Sequence, residues 1–102
     1  MKTVTVTIKK DNGRCKASPD PFQAEIGDIL VFVFPGEPNA TITFGNGKSP
    51  LDKTTLQLTS RSGGQPSSAE SGVKNHGQFT YTVTWPNNGM GNGSGSVPPG
   101  GR

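Results

Sequence analysis

The sequence predicts an all-β protein, a Greek-key β-sandwich of about six to eight strands. Apolar and polar residues alternate in at least four segments, which is the pattern of strands that bury one face. The chain of 102 residues also contains 15 glycines and nine prolines, which suits a turn-rich β protein and disfavours long helices. A chain of this length is expected to form one domain.

Three strands are predicted in the first half of the chain. Residues 3–8 alternate threonine with valine or isoleucine, and β-branched residues favour strands. Residues 22–26 alternate in the same way as far as the turn Gly27-Asp28, where the Asp28 side chain is expected to bond to nearby backbone. Residues 29–34 are apolar at every position, as in a strand covered on both faces, and the prolines that follow end it.

Three more strands, separated by loops, are predicted after residue 39. Alternation resumes over residues 40–44, is short over residues 56–58, and is most regular over residues 79–85. Residues 60–77 are polar apart from Val73, and they are expected to form a long loop of the mobile or functional kind. Val73 is the residue expected to anchor that loop.

The predicted core consists of apolar residues from these strands. Its members are Val4, Val6, Ile8, Ile29, Val31, Val33, Ile42, Phe44, Phe79, Tyr81 and Val83. If Val31 lies inside, the substitution Val31→Ala should lower the free energy of unfolding by about 1–3 kcal/mol. Residues 1–90 are expected to form the folded domain. Residues 91–102 are expected to form a flexible Gly/Pro/Ser-rich tail, disordered from residue 92, because they can bury little surface.

Two stretches of the chain resemble a cupredoxin domain. The order PDPF…A…GD.L.F.F…PNATITF between Pro19 and Phe44 is similar to the first half of that domain, and GQFTYTV at residues 77–83 is similar to its G-x-[FY]-x-Y-x-C strand. The resemblance covers residues 3–90 and implies a cupredoxin-like Greek-key β-sandwich. Cupredoxins commonly carry electrons on a copper ion held by two His, one Cys and a weak axial ligand such as Met.

The resemblance also implies where those copper ligands would stand in this chain. The first His position falls at Asn39 or Ala40, the Cys position at Val83, and the second His position at Pro86. Met90 lies near the axial position, and one soft ligand alone does not hold copper. We therefore expect no type 1 copper site, no other metal site and no cofactor.

Cys15 and His76 are the remaining candidates for reactive chemistry. Such a pair serves elsewhere as nucleophile and base, or as two metal ligands. The favoured interpretation is an idle thiol and a loop histidine, because a Greek-key order places the two residues at opposite poles, about 17–20 Å apart. The scattered carboxylates suggest no acid–base pair. We expect no catalytic residues, and the chain is predicted not to be an enzyme.

Seven residues are candidates for partner binding. Four are the basic residues around the first turn, and three belong to the pole where the resemblance places copper: Lys9, Lys10, Arg14, Lys16, Asn39, Trp85 and Met90. With a net charge of +3, an unknown protein or an anionic partner is a candidate, whereas nucleic acid is not expected. The favoured interpretation of the basic turn is a solvated edge that resists pairing with other chains. We expect a monomer with no membrane contact.

The function predicted from these observations is that of a metal-free cupredoxin-like binding or interaction module with an unknown partner. The alternative is an electron-transfer or copper-handling protein with a non-standard or inter-chain site. The chain is expected in the cytoplasm if Met1 is the native start, because no signal-peptide run of apolar residues follows it. It is expected to be exported, as cupredoxins usually are, if a signal peptide was removed.

Overall fold

The chain folds into a Greek-key β-sandwich, which confirms the predicted fold class. The computed structural model describes residues 2–11, 14–36, 39–59, 67–86 and 88–99, with backbone alone for Ser67 and Ala69. The described residues form nine strands, more than the number expected: β1 (Thr3–Asp11), β2 (Arg14–Ser18), β3 (Phe22–Gln23), β4 (Ile29–Phe34), β5 (Asn39–Phe44), β6 (Thr55–Thr59), β7 (Ser67–Gly72), β8 (Gly77–Trp85) and β9 (Gly89–Val97). A short 3-10 turn, Gly45–Gly47, follows β5. Over the described part of the chain, no helix is long and apolar enough to cross a membrane.

The nine strands form two layers around one core. The hydrogen-bonded order is β2-β1-β4-β7 in one layer and β6-β5-β8-β9-β3 in the other, joined through the pair Thr59 and Ser68 of β6 and β7. The pairs β1–β4 and β3–β9 are parallel and the other neighbours are antiparallel. On the opposite side β2 contacts β9 and β1 contacts β3, so the layers enclose the core from both edges.

A cluster of four aromatic rings fills the space between the layers. The rings of Phe32 and Tyr81 meet edge to face with centroids 5.2 Å apart. Phe22 and Phe44 lie beside the same two rings, with centroids 5.8–6.3 Å away. Aromatic pairs in such arrangements contribute stability beyond that of the area they bury. The cluster therefore connects β3, β4, β5 and β8 across the sandwich.

The structure corrects the predicted burial of β4. Leu30, Phe32 and Phe34 are fully buried, whereas Ile29, Val31 and Val33 are only half-buried. The run has no polar residue to mark its outer face, so its sequence could not show which set points inward. The three β-branched residues face outward beside the threonines of β1 and the polar residues of β7. Val4 is likewise half-buried, and the other seven predicted core residues are buried as expected: Val6, Ile8, Ile42, Phe44, Phe79, Tyr81 and Val83.

The turn at Gly27-Asp28 is built as predicted, although the strand before it is shorter than expected. Regular pairing covers only Phe22–Gln23, and the Ile26 side chain is 41% exposed in the turn. The buried Asp28 carboxylate accepts hydrogen bonds from the backbone N–H of Glu25 at 2.9 Å and of Lys2 at 3.1 Å. These bonds, led by that from Glu25, lower the pKa of Asp28, and the positive charge of Lys2 acts in the same direction.

The segment predicted as a loop over residues 60–77 contains a strand. Residues 67–72 form β7, which pairs with β4 along its whole length. Val73 is buried and anchors the segment as predicted, because its N–H donates to the Asp28 carbonyl and its carbonyl accepts from the Gly27 N–H. Residues 60–66 lie outside the described residues. The sequence did not reveal this strand because its residues are polar and show no apolar alternation. The strand is held by hydrogen bonds between backbone groups, which any residue other than proline can make.

The segment predicted as a flexible tail also contains a strand. Residues 91–97 belong to β9, which pairs with β8 from Gly89 to Val97. The folded domain therefore extends beyond the boundary predicted at residue 90. Residues 100–102, the last part of the predicted tail, lie outside the described residues.

The inward-facing positions of β9 from Gly89 to Gly95 are glycines because side chains of other strands occupy the space there. Every second residue is glycine and faces inward: a β-carbon at Gly89, Gly91, Gly93 or Gly95 would overlap the side chain of Trp85, Cys15, Tyr81 or Phe22, respectively. We call these four residues the glycine stripe. The large side chains of other strands lie directly on its backbone. Composition alone suggested flexibility, whereas the period of two was the signal of a packed strand.

Two substitutions on β4 test its corrected register. Phe32→Ala should lower the free energy of unfolding by about 3–5 kcal/mol, because it removes a ring from the centre of the aromatic cluster. Val31→Ala should cost less, about 1 kcal/mol, since the Val31 side chain lies on the outer face and is only partly buried. Chemical denaturation of both variants measures the difference. Equal losses would contradict the register.

A second pair of variants tests the glycine stripe. Gly93→Ala should destabilise the protein by about 1–3 kcal/mol, because the added methyl group would overlap the Tyr81 ring. Gly72→Ala in β7 is the matched control, because a β-carbon there meets no atom within 4 Å. The control should be neutral or slightly stabilising, since alanine restricts the unfolded chain. Equal denaturation midpoints for the two variants would show that the stripe is not packed.

The Asp28 carboxylate should make stability depend on pH. Because its pKa is lower in the folded protein than in the unfolded chain, it contributes stability above about pH 4, the ordinary range of Asp. That contribution should be lost as the pH falls through the lower, folded-state value. Asp28→Asn should be less stable at neutral pH and should show a shallower loss of stability in acid. Parallel acid-unfolding curves for the two proteins would contradict this role.

Candidate functional site

The pole where the resemblance places copper lacks the corresponding ligand atoms. Val83, at the cysteine position, is fully buried among apolar residues and carries no nitrogen, oxygen or sulfur in its side chain. Ala40, on β5, is also buried, while Asn39 and Pro86 are exposed. Within the described ranges, no group of three or more His, Cys, Asp or Glu side chains is arranged to hold a metal ion.

The same pole instead forms a small neutral cavity. It has a volume of about 210 Å³ and is lined by Asn39, Ala40, Thr41, Gln57, Thr84, Trp85 and Pro86. None of these residues is charged, and four of them carry a side-chain amide or hydroxyl that both donates and accepts hydrogen bonds. Two of the seven predicted partner-binding residues, Asn39 and Trp85, meet here. We call this feature the pole cavity.

Gln57 is the residue of the pole cavity that sequence reasoning missed. Its Oε1 accepts a hydrogen bond from Thr41 Oγ1 at 3.0 Å, and its Nε2 donates to the Ala40 carbonyl at 3.2 Å. Because β6 pairs with β5, Gln57 stands directly opposite Thr41. The alternation of Gln57 between two buried leucines was the available signal, since it placed the amide on the outer face.

Trp85 is held by packing at the end of β8. Its ring meets the Phe34 ring edge to face, with centroids 5.2 Å apart and an interplanar angle of 81°. It also lies against the backbone at Gly89. The side chain is half-buried, so it offers a fixed margin to the pole cavity rather than a freely exposed ring.

The pole cavity opens onto a larger neutral surface. The outer side of β6, β5, β8 and β9 carries two cross-strand rows: Gln57, Thr41, Thr84 and Met90, and beside it Thr55, Thr43, Thr82 and Asn92. All eight residues are exposed or half-buried. No residue of these four strands is Asp, Glu, Lys, Arg or His. We call these two rows the neutral face.

The four basic candidates lie elsewhere, on the hairpin of β1 and β2. Lys9, Lys10, Arg14 and Lys16 are all exposed, and Lys9 stands opposite Lys16 in the ladder. Lys16 Nζ lies 3.5 Å from Asp11 Oδ2 at the surface, where such a pair contributes little to stability. The structure therefore separates this positive hairpin from the pole cavity.

Met90 and Arg14 line a second groove, of about 580 Å³, together with Cys15, Gly91 and Asn92. The Cys15 side chain is half-buried against Gly91, and its pKa is raised, chiefly by burial and further by the negative charge of Asp20. The thiol therefore stays protonated and weakly nucleophilic at neutral pH. Met90 is the predicted partner-binding residue that borders both this groove and the neutral face, since it pairs with Thr84.

His76 lies far from Cys15. It borders a cavity of about 340 Å³ together with Lys48, Ser49 and Asn75, next to the start of β8. Cys15 covers Gly91, which pairs with Val83 near the other end of β8. Six residues of strand separate these ends, about 20 Å. The structure thus keeps the two residues apart, as the sequence predicted.

Tyr81 is a buried core residue that carries a polar group. Its hydroxyl lies on Gly93 and has no hydrogen-bond partner among the described residues. Burial raises the pKa of Tyr81 strongly, and the charges of Asp20 and Cys15 act in the same direction. The phenol therefore remains neutral, and its role is packing rather than acid–base chemistry.

Comparison with solved structures identifies the fold. A proline-to-glycine mutant of amicyanin, in its reduced Cu(I) form at pH 4, superimposes with a TM-score of 0.57 at 9% identity over 92% of this chain and 82% of that one. A pseudoazurin from Sinorhizobium meliloti gives a TM-score of 0.59 at 18% identity over 98% of this chain and 76% of that one. An oxidised methionine-to-lysine mutant of amicyanin gives 0.59 at 11% identity, over 92% of this chain and 82% of that one. The chain therefore has a cupredoxin-like fold.

No protein-family model and no curated protein sequence matches the chain.

Proposed function

We propose that this chain is a binding module on a cupredoxin-like fold, which carries no type 1 copper and takes its ligand at the pole cavity and the neutral face. It is not an enzyme in this proposal. The observation that carries the proposal is the replacement of a metal-binding pole by a neutral, hydrogen-bonding cavity. At the position where the resemblance implies a thiolate, Val83 is buried in the core, while Asn39, Thr41, Gln57 and Thr84 line the cavity at the same pole.

The chemistry of the pole supports binding rather than electron transfer. A blue-copper site depends on a thiolate, two imidazoles and a weak axial ligand. Val83 and Pro86 supply no such group, and Asn39 presents an amide. Amides and hydroxyls at a concave site instead orient a bound molecule through hydrogen bonds.

The two sulfur-containing side chains of one groove favour the alternative, a copper-handling protein. Cys15 and Met90 carry the two sulfur groups that line the second groove, together with Arg14. Soft sulfur ligands favour Cu(I). Cys15 and Met90 supply only two ligands, and a Cu(I) site would need at least one more. In this alternative, a second chain supplies it.

Titration with copper separates the two functions. We expect Cu(II) to produce no intense visible band of copper–thiolate charge transfer, because no thiol occupies the ligand position and the Cys15 thiol has a raised pKa. Desalted protein should retain no stoichiometric copper in either oxidation state. Absorbance spectra and metal analysis of the wild type, Cys15→Ser and Met90→Leu provide the measurements.

A different result would support the alternative. Stoichiometric colour that disappears in Cys15→Ser would overturn the binding-module proposal. Stoichiometric Cu(I) that is lost in both sulfur variants would do the same without colour.

A further inference from the structure

The outer surface of the sandwich is divided by charge. The layer that contains β1 and β2 carries Lys9, Asp11, Arg14 and Lys16 on its exposed side. The neutral face, on the other layer, belongs to four adjacent strands with no ionisable side chain other than that of the buried Tyr81.

Two charged groups lie at the β9 margin of this face: the Asp20 carboxylate accepts hydrogen bonds from the backbone N–H and the Oγ of Ser94 at 3.1 Å, and Arg14 lines a groove with Met90 and Asn92. Away from that margin, the strands themselves offer no counter-charge to a charged ligand, and an uncharged ligand needs none.

The neutral face offers hydrogen-bonding groups in a regular array. Neighbouring strands are about 4.8 Å apart and the two rows are about 6.7 Å apart along the strands. Hydroxyls and amides both donate and accept hydrogen bonds. Such an array matches a polymer whose own surface consists of repeated hydroxyl groups.

Several of these side chains are already held in place. Thr41 and Gln57 are joined by a hydrogen bond of 3.0 Å, and Thr82 Oγ1 donates to Asn92 Oδ1 at 3.3 Å. Each hydroxyl and amide retains further donor or acceptor capacity toward a ligand. Because these rotamers are partly fixed before binding, less entropy is lost when a ligand is bound.

Apolar surface lies at the margin of the same rows. The Met90 side chain is 56% exposed at the end of the row that contains Thr84. Pro86 and the half-buried Trp85 border the pole cavity at the end of β8. Sugar rings present both hydroxyl edges and C–H faces, so a mixed surface of this kind suits them.

The neutral face is less suited to other occupants. Nucleic acid is bound largely through basic side chains against phosphates, and these strands supply none. A stable contact between copies of the chain needs an apolar, aromatic-rich centre. Met90 is the only large apolar side chain exposed on the described part of this face.

We propose that the neutral face and the pole cavity together bind an uncharged polysaccharide, an inference that rests on the proposed binding function. Thr41, Gln57 and Thr84 hydrogen-bond to its hydroxyls, and the margin formed by Trp85, Pro86 and Met90 packs against its sugar rings.

Depletion assays with the full chain test this inference. The probes are insoluble cellulose, chitin and starch granules, with heparin-agarose and immobilised DNA as anionic counterparts. We expect saturable binding to at least one neutral polysaccharide, little affected by salt. Thr84→Lys, which places a charge at the centre of the rows, should weaken that binding about tenfold or more, and Gln57→Ala should weaken it less.

The matched control is Thr5→Lys, which makes the same change at an exposed threonine on β1. It should bind like the wild type. Thermal unfolding of each variant establishes that the chain is folded before binding is compared.

The possible outcomes separate this inference from the function on which it rests. Absence of binding to all three neutral polysaccharides, or equal binding by Thr84→Lys, would overturn the inference. Salt-sensitive binding to heparin or DNA alone would overturn it and leave a binding module. Sedimentation that shows a dimer dissociated by Thr84→Lys would assign the face to a second copy and also overturn the inference. Stoichiometric, cysteine-dependent copper would overturn the proposed function itself.

Discussion

The fit between large side chains and the glycine stripe is the constraint on which the rest of the structure depends. Tyr81, Phe22, Trp85 and Cys15 all project toward β9, and each lies where a β-carbon of that strand would be. Tyr81 and Phe22 also belong to the four-ring cluster between the layers. The large side chains from other strands fill the space that the glycines of β9 leave open, so the interior is close-packed only when both are present.

This arrangement also shapes the candidate site. Because β9 accepts the aromatic side chains inward, its outward residues Met90 and Asn92 extend the rows begun by β6, β5 and β8. Trp85 is fixed between Phe34 and Gly89, so the margin of the pole cavity is part of the packed sandwich. Binding residues that stand on strands of a rigid scaffold are positioned more accurately than residues on loops.

The cupredoxin-like fold is compatible with a pole that has different chemistry. The strand that would carry the cysteine still ends at the same pole, but Val83 contributes to the core there. Function depends on such local substitutions more than on the fold, since one architecture supports many sites. At the ligand positions that the resemblance implies, this chain has Val83, Pro86 and either Asn39 or Ala40, and none of these side chains is a thiolate or an imidazole. The four strands of the neutral face likewise carry no Asp, Glu, Lys, Arg or His.

The sequence by itself determined the fold class, the strands with clear alternation, the Gly27-Asp28 turn and most of the core. Each of these depends on a period of two or on local turn chemistry, which a single segment can display. The sequence's resemblance to cupredoxins also implied which residues would stand at the ligand positions.

Only the tertiary structure decided the facing of β4, the strands at residues 67–72 and 89–97, and the meeting of Gln57 with Asn39 and Thr84. A uniformly apolar run has no pattern to show its inward side, and polar or glycine-rich strands are stabilised by partners distant in sequence. Gln57 reaches the pole cavity through pairing of β6 with β5. Register between strands is a property of the folded sheet, so the composition of either strand cannot reveal it.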